Sequence, residues 1–267
     1  MMIKLIITGA CGRMGGAVLN LAAADPAFVI THIVEAATHP LSGTMIAAGS
    51  SGATFPLEGS LAHVVDDSDV IIDFTQADAS ILNFRLASER GKAIVIGTTG
   101  ISPDSLGEMR NLQQARAVVS PNMSIGVNIL FTLAEQAARI LGPDYDTEIV
   151  EMHHRWKKDA PSGTAVKLKE LIMATSPSRE WIEVSGRRGM VGERRPDEIG
   201  LLSVRAGDIV GEHTVLFAGV GERLEITHRA YSRENFAHGA LAAAKWIVRQ
   251  ERGVYDMRDV LGLTGEK

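Results

Sequence analysis

The sequence predicts an α/β protein built on a doubly wound parallel sheet, with a second domain of α+β type. Three observations carry that reading. Short β-branched apolar runs alternate with helical patterns as far as Ser120, as the units of a parallel sheet do. The loops after those strands are small, polar or glycine-rich, as at the ligand-binding carboxyl ends of open α/β sheets. Beyond Asn122 the alternation stops, and a long helix leads into strands joined by tight turns.

In order, Ile3 to Thr8 is a buried type of strand that leads into Gly9-Ala10-Cys11-Gly12-Arg13-Met14-Gly15 and then the helical pattern Val18, Leu19, Ala22. Strand, glycine loop and helix is the order a dinucleotide site needs, because glycines let the backbone turn tightly and approach a pyrophosphate at the helix N-terminus. The spacing is GxxGxxG, a weaker signal alone than GxGxxG. The next strand, Phe28 to Val34, ends at Glu35, where a carboxylate would accept hydrogen bonds from adenosine ribose hydroxyls. Cys11 reads as a small packing residue of the turn, not a nucleophile. From Ala36 to Gly59 periodicity is weak, and a loose connection with a short helix near Met45 to Ala48 is expected.

Strand signals resume at Val70 to Thr75 and Ala93 to Ile96, with helices expected over Asp78 to Arg90 and Pro103 to Gln114 and a strand over Ala117 to Ser120. Gly97-Thr98-Thr99 and Ser120-Pro121-Asn122-Met123 then fall at strand carboxyl ends, beside the expected cofactor. Ser124 is placed to cap a helix with Ile129, Leu133, Ala137, Ile140 and Leu141 on one apolar face, closed by Gly142-Pro143. Further strands are expected at Trp181 to Ser185, Ile199 to Arg205, His213 to Ala218 and Arg223 to Arg229, in a mixed or antiparallel sheet. A final helix, Ser232 to Arg249, carries Phe236, Ala240, Ala244 and Ile247 on one stripe and is expected to return to the parallel sheet. The expected domains are residues 1–123 with 232–267, and 124–231.

The most informative stretch is Glu-Met-His-His-Arg-Trp-Lys-Lys-Asp-Ala-Pro-Ser-Gly-Thr-Ala at 151–165, directly after the strand-like Thr147 to Val150. Ser162, after Pro161, is a good N-cap for a helix with Ala165, Leu168, Leu171 and Ile172 on its apolar face. Backbone N–H groups of Gly163 and Thr164 would then serve as donors to a carboxylate or phosphate. Lys157, His153 and His154 are expected on the loop just before, so an anionic small molecule would sit beneath protonatable groups. His153, His154 and Asp159 lack zinc spacing and a thiolate, so no metal is expected.

The chain of 267 residues can bury one large or two modest cores. A net charge of −5, with its basic residues in small groups, argues against a nucleic-acid surface. The single cysteine excludes an intrachain disulfide framework, and no apolar stretch approaches a membrane span, so a cytoplasmic protein is expected.

Gly-Ala-Cys-Gly-Arg-Met-Gly at 9–15, Ile-Gly-Thr-Thr-Gly at 96–100, the histidine stretch at 151–165 and Arg-Ala-Gly-Asp-Ile-Val-Gly-Glu-His at 205–213 closely resemble the dihydrodipicolinate reductase family, over nearly the whole chain and in order. The resemblance implies a Rossmann-type domain joined to a substrate-binding and tetramerisation domain, and an NAD(P)H-dependent reductase of the diaminopimelate and lysine pathway acting on a cyclic dicarboxylate as a cytoplasmic homotetramer. It gives His153 and Lys157 acid and base roles, and places His154, Ser162, Gly163 and Thr164 on the substrate carboxylates. It lines the cofactor with Gly9, Ala10, Cys11, Gly12, Arg13 and Met14, with Glu35, with Gly97, Thr98 and Thr99, and with Ser120, Pro121, Asn122 and Met123. Two departures stand out. Trp156 occupies a position where the family often has His, and Ala36 follows the ribose-binding acid where some members carry Arg. Glu35 with Ala36 favours NADH over NADPH, although Arg13 could still meet a 2′-phosphate. The rival readings are another two-domain dehydrogenase and a non-catalytic NAD(P)H sensor. The histidine stretch weighs against both.

Overall fold

Residues 2–49 and 52–263 are described by the computed structural model, and the chain divides at Ile125/Gly126 and Ser232/Arg233 into two units. The first begins with β1 (Ile3–Thr8), α1 (Arg13–Ala24), β2 (Phe28–Val34), β3 (Met45–Ala48), β4 (Ala53–Glu58), β5 (Val70–Asp73), α2 (Ala77–Glu89), β6 (Ala93–Ile96), α3 (Pro103–Asn111) and β7 (Arg116–Val119). From the division onward come α4 (Ile125–Leu141), β8 (Asp146–His153), α5 (Gly163–Ala174), β9 (Ile182–Val184), β10 (Glu198–Arg205), β11 (Gly211–Gly219) and β12 (Glu222–Ala230). The chain then re-enters the first unit with α6 (Glu234–Ile247), β13 (Gly253–Tyr255) and α7 (Met257–Val260).

The first sheet runs β13-β7-β6-β5-β1-β2-β4-β3, parallel throughout except for β3 against β4. Its strands are apolar on both sides, because successive side chains point to opposite faces and helices cover each. Leu5, Ile7, Ile72 and Val95 join a core with Val18 of α1 and Ala240, Ala244 and Ile247 of α6. Their neighbours Ile6, Ile71, Ile94 and Ile96 join the opposite core with Phe84 of α2 and Met109 of α3. The last helix therefore packs on the open sheet as its stripe implies, with Phe236 partly buried against the same core.

The second unit carries a mixed sheet, β12-β11-β8-β10-β9, in which β10 is parallel to β8 and β9 while β11 is antiparallel to β8 and β12. One core, with Ile149, Ile199, Leu201, Val215 and Phe217 from the sheet, receives Leu130, Phe131 and Ala134 of α4 and Ala165, Leu168 and Ile172 of α5.

Three expectations are corrected here. Met45–Ala48 is a strand, pairing antiparallel with β4 from Met45↔Pro56 to Ala48↔Ala53; edge pairing overrides the helical preference of an alanine-containing run. The third helix stops at Asn111, because Leu112 already has extended backbone. On α4 the expected stripe is mostly the outward one, with only Ala137 and Leu141 of its five residues packed partly against the core. Ile129, Leu133 and Ile140 are 41, 45 and 82 % exposed, while Val127, Leu130, Phe131, Ala134 and Ala138 are buried. The helix is apolar on more than one face, so periodicity alone does not choose which turns inward. The short strand β13, on the edge beyond β7, escaped the sequence reading altogether.

Candidate active site

The glycine loop between β1 and α1 is shaped by contacts no side chain tolerates. Gly9 has φ +72°, and a Cβ there would lie 2.4 Å from the Phe74 carbonyl oxygen. A Cβ at Gly15 would lie 2.0 Å from the Gly9 oxygen. The N-cap of the helix is Gly12, with no side-chain cap and no acidic residue in the first turn, so no side chain offsets its positive end. Glu35 follows β2 and turns over the loop, accepting the Cys11 N–H at 3.1 Å and the Ala36 N–H at 3.2 Å. A carboxylate beside a glycine turn suits ribose hydroxyls, and the residues present fit a dinucleotide. Cys11 is exposed, which corrects its reading as a packing residue. Desolvation and the Glu35 charge push its thiol up, which disfavours the thiolate a nucleophile would need.

Asp73, at the end of β5 and fully buried, organises the neighbouring loops. Its carboxylate accepts from Thr75 N (3.0 Å), Thr75 Oγ1 (2.7 Å), Ser80 Oγ (2.7 Å), Asn83 Nδ2 (2.6 Å) and Thr98 Oγ1 (3.1 Å). The Thr98 hydroxyl is thereby engaged inside the protein, so that side chain braces the loop, whereas Thr99 is exposed. Gly97 lies against Phe74, and a Cβ would meet the ring at 2.1 Å. After β7, the Ser120 hydroxyl donates to the Asn122 carbonyl at 2.9 Å, and Asn122 Oδ1 accepts the Ser124 N–H at 2.9 Å. Pro121 is exposed, whereas the Met123 side chain is 1 % exposed and belongs to the core, as does the buried Ala10. Those two can offer a ligand main chain only. Arg13 is exposed and Met14 half-buried against the core.

In the second unit the histidine stretch is placed differently from the loop expected. His153 closes strand β8, two residues after Glu151, so both project from the same side of the strand. Glu151 is fully buried, and its Oε2 lies 2.5 Å from His153 Nδ1. Arg205 of β10 grips both carboxylate oxygens, Nη1 to Oε2 at 2.9 Å and Nη2 to Oε1 at 2.7 Å. The Ser162 N–H adds a bond to Oε1 at 3.2 Å. Burial alone would raise this carboxyl; hydrogen bonds from His153, Arg205 and Ser203 outweigh it and hold Glu151 far below the carboxylate range. His213 of β11, paired across the sheet with Glu151, stands edge-on to His153 with centroids 5.2 Å apart. Burial and the neighbouring His153 push His213 down to about 3, so it is a neutral imidazole near neutral pH, and its Nε2 is 3.0 Å from Ser162 Oγ.

Ser162 caps α5, its Oγ accepting the Ala165 N–H at 3.3 Å, and Gly163 opens the first turn with nothing within 4 Å of where a Cβ would be. Thr164 follows in that turn. Lys157 is half-buried and pairs with Asp159 at 2.9 Å, an interaction that holds the Asp159 carboxyl below its usual range. The Asp159 carbonyl is in turn held by Arg205 Nη2 at 2.6 Å. The His154 ring stands 5.8 Å from Trp156. Lys157 joins the Glu151 cluster through Asp159 and Arg205, and Ser162 joins it at the start of α5 with Gly163 and Thr164 following, whereas the ring contact of His154 is with Trp156.

Glu151, Arg205, His213 and Asp73 are the residues the sequence reading left without roles. A signal existed for the first: Glu151 and His153 are two apart, and extending the strand from Val150 to His153 puts them on one face. Arg205 and His213 arrive from other strands, which no local pattern reveals. Among the described residues, no group of three or more His, Cys, Asp or Glu could hold a metal ion. A cavity of about 250 Å³ between α2 and α3, lined by Phe84, Arg85, Glu108 and Met109 among others, involves none of the residues above.

A dinucleotide-shaped parallel sheet followed by a unit that assembles imidazoles, a lysine and a helix start defines a class, the two-domain NAD(P)H-dependent oxidoreductases. Residues 3–123 match the family described as "Dihydrodipicolinate reductase, N-terminus", and residues 126–261 match "Dihydrodipicolinate reductase, C-terminus". The chain belongs to the dihydrodipicolinate reductase family. Among similar curated proteins, the 4-hydroxy-tetrahydrodipicolinate reductases of Syntrophus aciditrophicus and Desulfotalea psychrophila are 48 % and 52 % identical, each across 98 % of this chain and 99 % of its own length. Among solved structures, the dipicolinate-bound dihydrodipicolinate reductase from Paenisporosarcina sp. TG-14 superposes with a TM-score of 0.79 at 25 % identity, covering 96 % of this chain and 98 % of its own. Aspartate semialdehyde dehydrogenase II from Vibrio cholerae, at 10 % identity and TM-score 0.57 over 94 % of this chain and 99 % of its own, shares the fold. No helix of the described residues is long and apolar enough to cross a membrane.

Proposed function

We propose that this protein reduces 4-hydroxy-tetrahydrodipicolinate, by way of dihydrodipicolinate, to tetrahydrodipicolinate with NAD(P)H, the reductive step of diaminopimelate and lysine biosynthesis. The observation that carries the proposal is relatedness along the whole chain, at about half identity, to proteins named for that activity. The clustered histidine stretch supplies groups suited to the chemistry.

Gly9 and Gly15, the uncapped start of α1 and Glu35 would hold the dinucleotide, with the backbone of 97–99 and 120–123 beside it. When bound, the reduced nicotinamide supplies the hydride. Ser162, Gly163 and Thr164, at the N-terminus of α5, together with His154, receive the substrate carboxylates. Lys157 exchanges Asp159 for a substrate carboxylate and keeps its cation close to the ring. Reduction at C4 leaves an enamine-type carbanion equivalent, and Lys157 or His153 protonates the adjacent carbon. Loss of the 4-hydroxyl as water precedes reduction in the same site.

Glu35 favours NADH, because a 2′-phosphate would face its like charge, while Arg13 allows some use of NADPH. A cytoplasmic homotetramer completes the proposal, and light scattering at working concentration tests the assembly. The activity itself is tested by following NADH and NADPH absorbance with freshly generated 4-hydroxy-tetrahydrodipicolinate. Substrate-dependent oxidation, faster with NADH at equal concentration, is the expected result. Nucleotide binding without turnover would contradict the reductase and point to a sensor.

A further inference from the structure

We propose that Glu151 is a positioning residue of the reaction, which fixes a proton on His153 Nδ1 and so presents Nε2 of that imidazole to the substrate. The proposal rests on the reductase reading above, and its observations are geometric. The Glu151 carboxylate is fully buried and is met by donors: Arg205 on both oxygens, the Ser162 N–H on Oε1, His153 Nδ1 on Oε2 at 2.5 Å, and the Ser203 side chain. A carboxylate that remains ionised in this setting accepts only, so the proton between it and His153 belongs to the imidazole. Nε2 on the far side of the ring faces Gly211, where a Cβ would lie only 3.0 Å away. The glycine keeps that nitrogen clear.

The same carboxylate ties three parts of the site together. Arg205 reaches it from β10 and also holds the Asp159 carbonyl, while Ser162 brings the start of α5. The charged and titratable groups around His153 are Glu151 on its own strand, Arg205 from β10, His213 from β11, and the Lys157–Asp159 pair on the following loop. Among them Glu151 alone contacts Nδ1 among the bonds described.

Glu151→Gln preserves shape and removes one acceptor. With its oxygen at the Oε1 position the amide keeps the Ser162 and Arg205 Nη2 bonds and gives up only that of Arg205 Nη1, because of the two donors at Oε2 the imidazole alone can become an acceptor, so the NH2 turns toward His153 Nδ1. That nitrogen must then accept, and the proton moves to Nε2. The expected result is a fall in kcat of about 100-fold with NADH affinity within about twofold of wild type, as for loss of a correctly protonated acid–base group. In a His153→Ala background the same substitution is expected to change kcat by less than about twofold, because its effect passes through the imidazole. An equal loss in both backgrounds, or an unchanged kcat in the single variant, overturns the proposal. Nitrogen-15 spectra of the unsubstituted protein, with His153 assigned by its absence in His153→Ala, supply a test that needs no Glu151 variant. A proton on Nδ1 is expected, and a bare Nδ1 overturns the assignment. Failure of the wild-type protein to oxidise NADH would instead remove the reductase reading, and the spectra would still decide the Glu151–His153 pairing.

Discussion

Lys157, on the loop before α5, and His213, which reaches the Ser162 cap of that helix from β11, are given opposite protonation tasks. Lys157 is paired with the half-exposed loop acid Asp159 and can pass to a carboxylate brought by the substrate. Lys157→Ala is expected to lower kcat by about 100-fold or more while leaving NADH affinity nearly unchanged, measured by steady-state kinetics beside a nucleotide titration. His213 is buried and neutral, with its folded pKa down to about 3 against an ordinary 6.5. Between those values the unfolded chain binds the extra proton and the folded chain does not, so stability falls as pH drops from about 6.5 toward 3. The slope from this residue is up to about 1.4 kcal/mol per pH unit. Glu151, with its carboxyl held low, adds to the loss only once pH falls below the unfolded carboxylate's range. Urea unfolding at pH 7 and pH 5 checks this. His213→Gln should flatten the pH dependence between the two, and an unaltered slope would refute the assignment.

At the scale of elements, two helix starts each have an anion to bind on the proposed reading, and the two are prepared by different means. The start of α1 has glycines at its N-cap, Gly12, and at Gly15, and a Cβ at Gly15 collides with the Gly9 carbonyl. Gly15→Ala is expected to abolish measurable NADH binding in a fluorescence titration and to lower stability by about 1–3 kcal/mol, since the loop must move to admit the methyl group. The start of α5 is capped by Ser162, which also meets His213. Ser162→Ala removes both contacts; a loss of about 1–2 kcal/mol and a raised KM for the dicarboxylate are expected from denaturation and kinetics. Both starts were legible in the sequence, because a glycine loop after an apolar strand and a Ser-Gly-Thr turn after proline are local signals. The supports beneath them were not. Asp73 and Glu151 bind groups from several elements, and Arg205 and His213 reach Glu151 from strands more than fifty positions away, so their roles exist only once the sheets are paired. The misread helix at Met45–Ala48 has the same origin, since its conformation is set by pairing with β4.

Over the whole molecule, the alternation of strands and helices up to Ser120 was enough to give the parallel sheet, because each strand carries its own apolar signature and each helix its own period. The closing helix α6 was legible for that reason too: its small-residue stripe, Ala240 and Ala244, lies in the core shared with α1. The inward face of α4 was not, because the sequence offers two apolar faces and only the packing of the second unit selects Leu130, Phe131 and Ala134. On the proposed reading each unit supplies half of what the reaction needs, a nucleotide cradle in one and acid–base and anion-binding groups in the other. The most direct test of that account is deuteride transfer. With NADH deuterated at the transferring position and freshly generated 4-hydroxy-tetrahydrodipicolinate, tetrahydrodipicolinate heavier by about 1 Da in a mass spectrum is the predicted product. Unlabelled product, or recovery of deuterated NADH with the substrate unreduced, would contradict it.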